Sequence, residues 1–121
     1  MDSEKRPKYV AIKPRPKAQL VQELASSDEN VVCDALFGAA QHEADWRWSQ
    51  AQCLTMLKHA SLMVRSCAII AIGEIAVFRG ELDVDVVVPE LRRLLNDSAL
   101  RPFAEDALDD IALMQQRRMD S

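Results

Sequence analysis

The sequence predicts an all-α fold, a short right-handed αα superhelix of about three helix pairs. Three observations lead there: a helical spacing that recurs three times, a near absence of glycine, and a composition suited to small-residue helix packing. Gly38, Gly73 and Gly80 are the glycines of the chain, and no strand–turn–strand punctuation separates its apolar segments. Apolar residues make up 49% of the sequence but aromatic residues only 5%, so a core has to be built from Ala, Leu, Ile and Val. A chain of 121 residues is expected to form one domain, burying about two thirds of the surface its unfolded form exposes.

The recurring spacing starts from Val31, Val64 and Leu100. Three residues before each stands Asp28, Ser61 or Asp97, all good helix N-caps. Four residues after stand Ala35, Ala68 and Ala104; seven after, Gly38, Ala71 and Ala107; eight after, Ala39, Ile72 and Leu108. Such spacing marks one face of a helix. Two of its positions are small every time, which lets a neighbouring helix approach closely. The copies are offset by 33 and 36 residues, the range of helical repeat units.

Each of these helices follows another. Leu20 and Leu24 lie one turn apart; Cys53, Leu54 and Leu57 form a second apolar stripe; Leu91, Leu94 and Leu95 form a third. Helices are therefore expected near 17–26, 29–42, 46–59, 62–79, 84–96 and 99–116. Arg79-Gly80-Glu81 is the clearest break, with Gly80 suited to a helix C′ position. The domain is expected over 16–121, and three such pairs stack as a solenoid.

Residues 1–15 read differently. They form a basic arm with Pro7 and Pro14, expected to be extended and to lie loosely on the body if ordered at all. Residues 1–17 carry a net +4, whereas the remainder carries −8. An acidic body argues against a nucleic-acid partner, which requires a basic face. MDSEKRPKYV has no apolar run behind its charges, so no secretory signal is expected there. CAIIAI at 67–72 is too short to span a bilayer. Cys33, Cys53 and Cys67, in no CxxC spacing and in apolar helical contexts, are expected to be buried, reduced thiols of a cytoplasmic protein.

QHEADWRWSQAQCLTMLKH, at 41–59, is chemically the densest stretch. Asp45 reads as an N-cap for the helix that follows. His42 falls eleven residues after Val31, where the other copies have Ile75 and Ile111, so it is expected to be half-buried packing. A zinc-binding HExxH would need a second histidine where Trp46 stands. His59 ends its helix, where partial positive charge is favourable. Trp46 and Trp48 point about 200° apart; one is expected to pack between repeats, the other to lie nearer solvent as an interface anchor. There is no glycine-rich phosphate loop and no readable nucleophile with a base, so the chain is expected not to be an enzyme and to need no cofactor or metal.

The functional lead is FAEDALDDIALM at 103–114. Phe103, Ala104, Ala107, Leu108, Ile111 and Met114 share one side of the helix, and Glu105, Asp106, Asp109 and Asp110 the other. Ten residues after each reference position come Gln41, Glu74 and Asp110, a polar row expected to line the concave side of the stack. The expected partner-binding residues are therefore Trp48, Glu74, Glu105, Asp106, Asp109 and Asp110. A basic protein would suit them. No membrane partner is expected, and the chain is expected to be a monomer or weak dimer.

VVPELRRLLNDSALRPFAEDALDDI at 87–111 and CLTMLKHASLMVRSCAIIAIGEIA at 53–76 resemble HEAT repeats. Pro89 matches that family's first-helix proline, Asp97 its turn aspartate, and Arg65 and Arg101 its arginine, which the resemblance implies pairs with acids and carbonyls of adjacent turns. The first pair departs from the pattern, with Val32 where the arginine would be. DWRWSQAQCL and AEDALDDI are more narrowly similar to small stand-alone bacterial HEAT-repeat proteins, some of which resemble immunity proteins encoded beside toxins. The resemblance implies a protein-binding module, first of all one that neutralises a cognate toxin. A scaffold subunit, including the HEAT-type phycobiliprotein lyase kind, is the alternative. A HEAT-like DNA glycosylase is a third reading and would need a basic groove.

Overall fold

A computed structural model describes residues 12–120. They form six helices: α1 (Lys17–Leu24), α2 (Glu29–His42), α3 (Trp46–Met56), α4 (Leu62–Arg79), α5 (Val84–Leu94) and α6 (Arg101–Asp120). No strand occurs among the described residues. The fold is all-α, as the spacing predicts. The expected starts of α1 to α5 hold, and α6 starts two residues late. It also runs four residues beyond the expected end, carrying Arg117 and Arg118 into the helix.

Local chemistry sets the helix ends. The Asp28 carboxylate accepts the Asn30 N–H at 2.9 Å, Asp45 that of Trp48 at 3.1 Å, and the Ser61 hydroxyl that of Val64 at 3.3 Å. Asp97 accepts the Ala99 N–H at 3.0 Å in the turn leading into α6. Gly80 ends α4 in the left-handed region (φ 65°), where its N–H reaches the Ala76 carbonyl.

The helices form two layers. In one, α2 packs on α4 and α4 on α6; in the other, α1, α3 and α5 each pack on the helix that follows. The central helix α4 is buried on nearly all sides, from Val64 to Ala76, whereas α1 and α5 bury only two residues each. Close approach in the inner layer depends on the small positions of the repeat. Ala35, Ala68, Ala71, Ala104 and Ala107 are all fully buried. At Gly73 a Cβ would sit 3.4 Å from the Ala107 backbone, so α4 and α6 nearly touch there.

The basic arm divides at residue 12: residues 1–11 lie outside the described residues. Residues 12–16 are extended, and they are pinned rather than loosely laid. The Ile12 N–H donates to Gln41 Oε1 at 3.2 Å. Arg15 lies 3.1 Å from the Glu23 carboxylate, and its guanidinium reaches over Gly38 to the Asp34 carbonyl.

Candidate functional site

The polar row exists, but it faces inward. Gln41 and Glu74 are 5% and 1% exposed, and Gln41 Nε2 donates to Glu74 Oε1 at 3.3 Å. Asp110 is half-buried, with one carboxylate oxygen 2.8 Å from where a Cβ on Gly73 would sit. The row is thus a polar ladder running across α2, α4 and α6 inside the layer, and Glu74 presents no surface to a partner. Repeat geometry explains the reversal. Residues at the same place in consecutive copies face one another across the helix interface, so a polar side chain there finds its partner in the next copy.

A second ladder, between α3 and α5, has the same cause and was not anticipated from the sequence. Gln50 is buried, accepts the Asp83 N–H at 2.8 Å and donates to the Asp83 carboxylate at 3.1 Å. Gln50 and Asp83 are 33 residues apart, as are Gln41 and Glu74. That coincidence with the repeat offset was the available signal. Ser49 adds a bond from α3 to the Ala39 carbonyl at 3.0 Å.

The acids of α6 divide in three. Glu105 pairs with Arg101 one turn earlier at 3.0 Å, on the surface. Asp110 turns towards Gly73. Asp106 and Asp109 are exposed and point outward, followed along the helix by exposed Leu113 and Met119. Trp48 does not join them. It is half-buried on α3, with the Lys17 ammonium of α1 5.0 Å from its ring centroid. Trp46 is also half-buried, with Arg47 4.4 Å from its ring centroid, so neither tryptophan stands free as an anchor.

His42 corrects another expectation. It is exposed rather than core-facing, and its ring Nε2 meets the Ile12 carbonyl. Among the described residues it is the segment before α1, through Ile12, that meets this position of the first copy. His59 Nδ1 accepts the Ser61 N–H at 3.0 Å. Arg65 donates to the His59 and Ala60 carbonyls at 2.8 and 3.0 Å, the structural role the sequence resemblance implies.

Fold and sequence together resemble a solved structure. It is a chain in the crystal structure of the CDI complex from Cupriavidus taiwanensis LMG 19424, with 28% identity and a TM-score of 0.79. The match covers 90% of this chain and 96% of that one. No family model matches the sequence, and no curated protein does.

The remaining chemistry is that of a closed interior. Cys33, Cys53 and Cys67 are buried thiols, none of them in a disulfide. Burial, with the Glu74 carboxylate second, pushes the Cys53 thiol up to about 12. At the surface, the Asp45 carboxyl is held below its ordinary value by the Lys17 ammonium and the Trp48 N–H. Among the described residues no group of three His, Cys, Asp or Glu is arranged to hold a metal ion. None of their helices is long and apolar enough to cross a membrane.

Proposed function

We propose that this chain is a non-catalytic, protein-binding immunity protein that neutralises a bacterial toxin in the cytoplasm, using the outward face of α6. One observation carries the reading: the similarity to a chain of a CDI complex over nearly the full length of both. A CDI, or contact-dependent inhibition, complex joins a toxin to an immunity protein. The immunity half suits this chain because α6 carries Asp106 and Asp109 on its exposed face. Asp106 and Asp109 project from α6 beside Leu113, giving an acidic patch with an apolar neighbour. A basic toxin domain, as a nuclease presents, would be drawn to such a patch, with charge mainly speeding association and selecting the partner. The HEAT-like reading of the architecture belongs here too, supported by the paired layers and by the carbonyl-binding Arg65.

The test is protection. A toxin domain encoded beside this gene is expressed in a sensitive host with and without this chain. The expected result is growth arrest that the chain relieves, with a complex of the two isolated from the same cells. Growth arrest unrelieved by the chain, with no complex formed, rejects the reading.

A further inference from the structure

Glu74 sits at the centre of the stack with 1% of its surface exposed. A buried ionised carboxylate needs a cation or several hydrogen-bond donors around it. Among the described residues its surroundings are of another kind. From α2 comes the Gln41 amide, a neutral donor at 3.3 Å. From α3 comes Cys53, a buried thiol whose own ionisation Glu74 opposes. From α6 comes Asp110, a second acid, lying over the adjacent Gly73. The guanidinium groups of Arg79 and Arg15 are engaged elsewhere. Arg79, further along α4, donates to the Gln41 carbonyl at 3.2 Å. Arg15, from the segment before α1, binds Glu23 and the Asp34 carbonyl.

We propose that Glu74 is a proton-linked latch: it closes into the stack as the neutral acid, and its ionisation weakens the packing of α2 and α6 against α4. Burial above all raises the Glu74 carboxyl from 4.5 to about 7; the Gln41 hydrogen bond works against that rise, and Asp110 adds to it. The sign follows from linkage. Between pH 4.5 and about 7 the folded chain holds a proton that the unfolded chain has released. Stability from this group therefore falls as pH rises through that window and levels off above it. If α6 carries the partner-facing acids, the same proton tunes how firmly that helix is seated. This extension rests on the proposed binding function, whereas the latch does not.

The experiment uses the full chain without a partner, so its outcome is independent of toxin binding. Thermal melts of wild type and Glu74→Gln are compared from pH 4.5 to 8.5. The variant mimics the neutral acid, so its melting temperature relative to wild type should rise by several degrees between pH 5 and pH 8. A difference that stays constant across the range overturns the latch. Carbon-13 NMR titration of the side-chain carboxyls in wild type serves even if the variant fails to fold. A Glu74 midpoint near 7 is expected, and a midpoint near 4.5 overturns the proposal. In Asp110→Asn the midpoint should move down; an unmoved midpoint overturns the part assigned to α6.

Discussion

The two ends of the helix stack are finished in different ways. At the first pair, residues 12–16 lie across α1 and α2, bonded through Ile12 to Gln41 and through Arg15 to Glu23 and Asp34. Lys17 adds a pair with Asp45 at 3.0 Å. At the last pair, the far end of α6 is tied back by Arg118 to Glu81 at 2.8 Å. Asp106, Asp109, Leu113 and Met119 remain exposed along its length. Each end of the described helix stack must be closed or made polar. Here the chain closes one end itself and leaves charge with scattered apolar groups on the other. The first end therefore belongs to stability, and the second carries the face proposed above for a partner.

That contrast makes graded predictions. The largest effect belongs to the closed end. Leu20 is 1% exposed and packs under the extended segment, so Leu20→Ala should cost about 2–5 kcal/mol in denaturant unfolding. A cost below about 1 kcal/mol would mean that the first pair is not part of the cooperative core. Next comes the open end, read through binding. Reversing Asp106 and Asp109 to Lys together should weaken toxin affinity by about 10- to 100-fold, with a weaker salt dependence, while the melting temperature barely moves. Calorimetry at low and high salt measures this, and unchanged affinity would place the interface elsewhere.

A smaller effect is expected from Arg15→Ala. It removes a half-buried ion pair, a bond to a backbone carbonyl and the cover over Gly38, at about 1–2 kcal/mol. A neutral result in chemical denaturation would show that the extended segment is not a cap. The smallest effect is at Leu113, 46% exposed on α6. Leu113→Ala should change the stability of the free chain by no more than about 0.5 kcal/mol. A larger loss would reveal that the open end is covered after all.

Much of this architecture is legible in the sequence because helices announce themselves locally. The 0, 4, 7, 8 spacing, the caps at Asp28, Asp45 and Ser61, and Gly80 each act within a turn or two, and they locate the helices well. The site was harder to read because its geometry is set between copies. Glu74 is polar in an apolar helix, and polarity alone does not say whether water or another side chain answers it; Gln41 does, from 33 residues away. Trp48 looks like an anchor until Lys17 of α1 is placed over it. His42 was misplaced because alignment with Ile75 and Ile111 assumes that every copy has the same neighbours, and the first copy does not. Asp106 and Asp109 are exposed, opposite the apolar side of α6, as the helical step predicts.

The buried thiols also provide a gauge of opening. Alkylating and disulfide-exchange reagents attack the thiolate, and Cys53 is fully enclosed with its ionisation pushed far above neutral pH. Cys53 can be labelled only in molecules whose α3 has come away from α4. The rate at which an added maleimide or aromatic disulfide modifies it counts those excursions under native conditions, with no denaturant and no engineered probe. If α6 is the face that binds the proposed toxin, binding should slow that clock only as far as α6 secures the helix on which Cys53 rests.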